Sequence, residues 1–339
     1  MNNIIEVLIT LSFPETLLTT LREVSPRLHI NLQAARKAED IPADVWARSE
    51  VLYTDRILPA PEQVPNLRWI QFHLAGIEHA LEHPLLHKAE IAVTTLSGAA
   101  APQMAEFVVM MMLALGHRVP DLAANQTKTE WPRDKWERFS PRELRGSTIG
   151  IVGYGSVGRQ VARLLQPFGA TILAAKRDAM HPADDDYAPE GIGDPSGEFF
   201  KRLYPTQAVR AMLKECDFVV VTVPLTPATR GLIGVEEIDA LKPGAFLVDI
   251  SRGGVVDHAA LVRALQDRKL GGAALDVFPE EPLPPASPLW KMPNVIITPH
   301  ISGDSPHYNE RAAALFAENL NRYLAGLPLY NRYDPERGY

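Results

Sequence analysis

Gly153, Gly155 and Gly158 follow the apolar run TIGIV and precede VGRQVARLLQPFG, the layout of a strand, a glycine-rich turn and a helix. Glycines at that spacing bind phosphate through geometry. The first permits a tight turn, the second lets backbone approach a pyrophosphate, and the third lets helix pack on strand. Ser156 and Val157 lie within the turn, and the helix start offers free N–H groups and a positive dipole end to the phosphates. The second strand ends in LAAKRDAM, so Lys176 and Arg177 stand where such a unit normally carries an acid for the adenosine ribose. A guanidinium pairs with a 2′-phosphate through two parallel hydrogen bonds, whereas an acid repels it. This favours NADP(H). NAD(H) stays open if both cations merely end the strand and Asp178 supplies the ribose contact.

Three further motifs end strands in the same half of the chain, where open α/β sheets place their ligands. They are VDISRGGVVD with Arg252, ALDVFPEEPLP with Glu281, and NVIITPHISG with His300. An imidazole titrates near neutrality and can deliver a proton. A carboxylate beside it favours the protonated form, and a guanidinium can hold an anionic substrate. Each residue has a plain alternative: a charge capping a strand, an exposed loop acid, a satisfied core histidine. Glu280 competes with Glu281 at this level.

The elements that must position these groups alternate along the chain. IIEVLIT, LHINLQA, VLYTD, LRWIQFHLAG and IAVTTLSG read as strands interleaved with helical segments, which argues for a parallel sheet wrapped by helices. PQMAEFVVMMMLALGHRVPDLAANQ reads as one long helix opening on Pro102. A second series runs through STIGIVGYG, ATILAAK, DFVVVTVP, AFLVDIS, GGAALDVF and NVIITPH, and SPHYNERAAALFAENLNRYLAG closes the chain as a helix. Residues 178–207 read as an irregular insertion. Asp184, Asp185 and Asp186 within it are expected to be a solvated run rather than a cation site.

The chain of 339 residues is 46% apolar with a net charge of −7, enough for two domains and without a basic footprint for nucleic acid. No apolar run is long enough to span a bilayer, and MNNIIEVLIT lacks the parts of a signal peptide. One cysteine, Cys216, excludes an intrachain disulfide and reads as a small buried filler. A cytoplasmic location is expected, with neither membrane nor nucleic acid as partner. His79, His83 and His87 recur every four residues, but Pro84 interrupts them and no ligand set is completed, so no metal is expected.

In their order, the GYGSVG, SRGG, EEP and TPHISG motifs resemble the D-isomer-specific 2-hydroxyacid dehydrogenase family over nearly the whole chain. The resemblance implies two doubly wound α/β domains. One is a discontinuous, flavodoxin-like substrate domain of residues 1–101 plus 303–339, and the other a Rossmann-type domain of residues 102–302. It implies interconversion of a small 2-keto acid, such as glyoxylate or hydroxypyruvate, with its D-2-hydroxy acid. His300 would be proton donor, Glu281 (directly before the proline) its partner, and Arg252 the substrate's anchor. Ala75, Gly76 and Ile77 match the turn that receives the substrate carboxylate. Pro224 matches a backbone position beside the nicotinamide, and Asp276 the acid that accepts from its amide. A homodimer built mainly through the nucleotide domain is implied as well. The segment SGAAAPQMAE, with Ala100, departs from the family where many members carry an asparagine. A formate-dehydrogenase-like enzyme would carry glutamine at Glu281. A 3-phosphoglycerate dehydrogenase-like enzyme and a dinucleotide-sensing corepressor-like protein remain alternatives.

Overall fold

Short runs of Val, Ile and Leu without polar alternation are the pattern of strands covered on both faces, and parallel sheets are built from them. The computed structural model, which describes residues 4–184, 186–335 and 338, arranges these runs into two parallel sheets. The chain divides into two compact units, Met1–Ala100 with Ser305–Tyr339, and Ala101–Asp304.

The first unit holds β1 (Ile5–Ile9), β2 (Leu28–Leu32), β3 (Val51–Thr54), β4 (Trp69–Phe72) and β5 (Ala92–Thr94), in the order β2-β1-β3-β4-β5. That is the flavodoxin-like order. The helix Tyr308–Ala325 belongs to this unit although it comes last in the chain, because it buries Leu315, Phe316 and Leu320. The Phe316 ring lies 4.6 Å from that of Tyr53 and 5.3 Å from that of Trp69, both on this sheet.

The second unit holds β6 (Thr148–Val152), β7 (Thr171–Lys176), β8 (Arg202–Pro205), β9 (Phe218–Val221), β10 (Phe246–Asp249), β11 (Gly272–Leu275) and β12 (Val295–Ile297). Their order, β12-β11-β10-β9-β6-β7-β8, is Rossmann-type, with its switch point between β6 and β9. Strand β9 shows why the sheet is covered twice. Phe218 and Val220 join one apolar cluster, while Val219 and Val221 join the other. Cys216 is fully buried just before this strand, and burial pushes its thiol up to about 12.

Two expectations change here. The long helix is two, Ala101–Gly116 and Val119–Thr127, bent by 64°. Pro120 is the cause: it has no N–H for the Gly116 carbonyl and its ring would collide with it. That carbonyl accepts from the Arg142 N–H at 2.9 Å instead, and Arg118 turns left-handed at φ 54° to redirect the chain. The insertion is also not wholly irregular, since its end supplies edge strand β8 beside β7. RLYP escapes a pattern reading because only Tyr204 in it is buried. Among the described residues no single helix is long and apolar enough to cross a membrane.

Candidate active site

The glycine turn joins β6 to the helix Ser156–Leu165 at the switch point. A Cβ on Gly158 would lie 2.1 Å from the Gly153 carbonyl oxygen, so helix and turn can meet only at glycine. Thr222, just past β9, donates its hydroxyl to that same oxygen at 2.7 Å. Gly155 differs. Its backbone is extended, at φ −92° and ψ −161°, and a Cβ there would meet no protein atom within 4 Å. The protein itself would tolerate a side chain at 155, whereas a pyrophosphate approaching the backbone would not. No side chain caps the helix at Gly155, which leaves its start to an anion. These residues fit a dinucleotide, with Ser156 and Val157 at the helix start.

Beyond β7 the two cations part company. The Lys176 ammonium donates to the carbonyls of His181 and Ala183, both at 3.1 Å, which leaves one of its three donors for a ligand. Burial, and then the charge of Arg159, lower its pKa. Arg177, one residue past the strand, is exposed. At this end of the strand there is thus an exposed guanidinium and an ammonium held by the insertion, which folds back over the end of β7. The expected solvated acidic run changes: Asp184 pairs with Arg159 at 2.9 Å. Asp185 lies outside the described residues, and Asp186 is exposed.

Glu281 and His300 come together. Oε2 of Glu281 lies 2.8 Å from Nδ1 of His300, and Oε1 accepts from the Phe278 N–H at 2.9 Å. An ionised carboxylate only accepts, so Nδ1 carries the hydrogen and Nε2 is left for other chemistry. His300 sits at φ 55°, a left-handed conformation that costs a non-glycine residue energy and clusters at functional sites. Glu280, the rival acid, is exposed and has no such contact among the described residues.

Arg252 follows β10 in a half-buried loop, its Nη1 donating to the Ser251 carbonyl at 2.8 Å. A Cβ on the neighbouring Gly253 would stand 1.9 Å from the Phe278 carbonyl oxygen. Only glycine therefore lets the arginine loop lie against the turn whose Phe278 N–H anchors Glu281. Beneath that loop Asp249 is wholly buried. Its Oδ1 accepts from the Ser251 N–H at 3.0 Å and from the Ser251 hydroxyl, and its Oδ2 has no partner among the described residues.

Asp276 already has partners within the protein. It is fully buried, and its carboxylate accepts from the Thr298 hydroxyl at 2.6 Å and from the Ile301 and Ser302 N–H groups, both at 2.9 Å. It braces the loop that carries His300, through the Thr298 side chain before it and the backbone after it, and keeps one lone pair for a further donor. Pro224 lies just past β9, and its carbonyl accepts from the Thr229 hydroxyl.

In the first unit, Ala75, Gly76 and Ile77 form the turn after β4, with Ala75 exposed and Ile77 buried. Beside it Nδ1 of His73 lies 2.7 Å from the Tyr53 hydroxyl, and the Tyr308 hydroxyl donates to the His73 carbonyl at 2.7 Å. Burial lowers the His73 pKa and raises that of Tyr53. Neither tyrosine carries a sequence signal that would have marked it. His79 lies in one short 3₁₀ turn and contacts the Asp55 carbonyl at 3.0 Å, while His83 caps another, Pro84–His87, by accepting from the Leu85 N–H.

The family described as D-isomer specific 2-hydroxyacid dehydrogenase, NAD binding domain, matches residues 109–302. A D-3-phosphoglycerate dehydrogenase of Methanocaldococcus jannaschii is 34% identical over 70% of this chain, which spans only 42% of that protein. A glyoxylate reductase of Thermofilum pendens is also 34% identical, over 81% of this chain and 77% of its own length. Among solved structures, a D-isomer specific 2-hydroxyacid dehydrogenase of Xanthobacter autotrophicus Py2, in complex with NADPH and MES, superposes with a TM-score of 0.78 at 27% identity, covering 99% of this chain and 100% of that one. With two parallel α/β sheets and a glycine turn at the switch point of the second, the chain belongs to the D-isomer specific 2-hydroxyacid dehydrogenase family, whose members are NAD(P)-dependent oxidoreductases.

Proposed function

We propose that the protein reduces a small 2-keto acid, glyoxylate or hydroxypyruvate, to the D-2-hydroxy acid with NADPH, and oxidises the product when the mass ratio reverses. The observation that carries this reading is the His300–Glu281 contact at 2.8 Å, with Glu281 itself anchored on the Phe278 N–H. It accounts for a proton source of fixed orientation at the end of the nucleotide-binding sheet. NADPH in the Xanthobacter relative and the exposed Arg177 support the choice of cofactor.

The dinucleotide, when bound, supplies the hydride. Gly153, Gly155, Gly158, Ser156 and Val157 hold its pyrophosphate at the helix start, and Arg177 with the third donor of Lys176 takes the 2′-phosphate. Pro224 lines the nicotinamide side. Arg252 binds the substrate's carboxylate and carbonyl oxygens and draws electron density from the carbon to be reduced. Nε2 of His300 gives its proton to the carbonyl oxygen, and Glu281 stabilises the imidazolium before transfer and keeps the ring aimed. Asp276 braces the loop that carries His300, and its remaining lone pair would accept from the nicotinamide amide. Ala75, Gly76 and Ile77 receive the substrate carboxylate. The first unit serves the substrate and the second the nucleotide; we further propose a cytoplasmic homodimer.

The test is a panel of glyoxylate, hydroxypyruvate and 3-phosphohydroxypyruvate, each assayed with NADPH and NADH at equal low concentration. Faster NADPH oxidation with either of the first two is the expected result. Preference for the phosphorylated acid would favour the reading that the Methanocaldococcus relative suggests. Faster NADH oxidation would defeat the argument from Lys176 and Arg177.

A further inference from the structure

Residues 178–199 carry no helix or strand among the described residues, yet they are fastened to the nucleotide turn at many points. Arg159, on the first turn of the helix Ser156–Leu165, is only 2% exposed. Its Nε donates to Asp184 at 2.9 Å, its Nη2 to the Pro182 carbonyl at 2.7 Å, and its Nη1 to the Asp194 carbonyl. The guanidinium carbon lies 4.9 Å from the ring centroid of Tyr154, the residue between Gly153 and Gly155. The Tyr154 hydroxyl donates to the Asp194 carboxylate at 2.6 Å. That carboxylate also accepts from the Glu198 and Phe199 N–H groups, both at 2.9 Å. Gln160 and Arg163 add bonds to the Gly193 N–H and carbonyl, both at 2.6 Å.

A guanidinium taken out of water is tolerated only where its donors are met. Here they are met by the insertion itself. The same segment supplies the carbonyls of His181 and Ala183 that hold Lys176. One network thus joins the phosphate turn to the residues at the end of β7.

We propose that Tyr154, Arg159 and Asp194 are positioning residues for cofactor choice: they fix residues 178–199 so that Lys176 and Arg177 are held ready for a 2′-phosphate. The inference rests on the NADPH reading above. An exposed cation on a loose segment loses conformational freedom when it grips a phosphate, and a fixed segment has lost it beforehand. Loosening the clamp therefore weakens the grip on the 2′-phosphate, a group NADH lacks.

The test compares wild type, Asp194→Asn and the milder Tyr154→Phe, with KM and kcat measured for both cofactors at saturating glyoxylate and thermal unfolding as the check on folding. In Asp194→Asn the amide oxygen can meet either the Glu198 donor or the Phe199 and Tyr154 donors, with its NH2 turned against the other side, so KM for NADPH should rise about tenfold, one charge-assisted hydrogen bond's worth. KM for NADH and kcat for NADPH should stay within about twofold of wild type, since neither reads the 2′-phosphate grip. Tyr154→Phe should move the same ratio in the same direction by less, and it decides the matter if Asp194→Asn fails to fold. If wild type prefers NADPH and the variants keep that preference, or lose both cofactors equally, the inference falls while the cofactor reading stands. A wild type that prefers NADH overturns the cofactor reading, and the inference with it.

Discussion

Because the two oxygens of Glu281 are committed to different donors, one to the Phe278 N–H and one to His300, an isosteric amide cannot replace it. Glutamine could keep an oxygen on Phe278 only by turning its NH2 toward Nδ1 of His300. That NH2 favours the neutral ring lacking hydrogen at Nδ1 and disfavours the imidazolium needed to protonate a carbonyl. Glu281→Gln should therefore slow keto-acid reduction by on the order of tenfold to a hundredfold. Steady-state rates check this, and full activity would remove Glu281 from the proton path. The contact between Glu281 and His300 was legible in the sequence because each sits in a short motif at a strand end. The brace from Asp276 was not: a strand-end acid looks the same whether it meets a ligand or three donors of the following loop. Tyr154 and Thr222 were illegible for a similar reason, since their partners are set by how loops cross and not by spacing along the chain.

At the scale of elements, strands and their order follow from runs of buried aliphatics, while the connections depend on local chemistry that such runs do not record. The break at Pro120 could have been seen in the sequence, because a proline removes the donor its helix needs. Edge strand β8 could not, with one buried residue to announce it. The loop after β10 illustrates a connection shaped by a single buried charge. Burial pushes the Asp249 carboxyl up to about 7, the Ser251 hydrogen bonds oppose this, and the Asp276 charge adds to it. The unfolded chain releases this proton near pH 4 and the folded protein near pH 7, so in between the folded state binds more protons. Stability then falls as pH rises through that window and levels off above it. Asp249→Asn removes the cost of burying a charge. In urea unfolding it should exceed wild type by on the order of 2 kcal/mol at pH 8, with a smaller advantage at pH 5. An equal difference at both pH values would show that Asp249 does not titrate in this window.

For the whole molecule, the second unit carries a set of large apolar side chains at its surface. Met110, Val119, Leu122, Trp131 and Trp136 are all exposed, the two tryptophans at 85% and 82%. The tryptophans form one patch, because the Lys135 ammonium lies 5.3 Å from one ring centroid and 5.2 Å from the other. Large aromatic rings left in water around a single cation are characteristic of surfaces that another chain covers. Since most soluble oligomers are symmetric assemblies of identical chains, a second copy is the natural occupant, which agrees with the homodimer proposed above. Trp131→Ala combined with Trp136→Ala should convert a dimer into a monomer on size-exclusion chromatography with light scattering. The circular dichroism spectrum and thermal unfolding should stay cooperative, because neither ring belongs to the buried core. If the double variant remains dimeric, the copies meet elsewhere; if wild type is itself monomeric at micromolar concentration, the patch serves another partner and the homodimer is wrong.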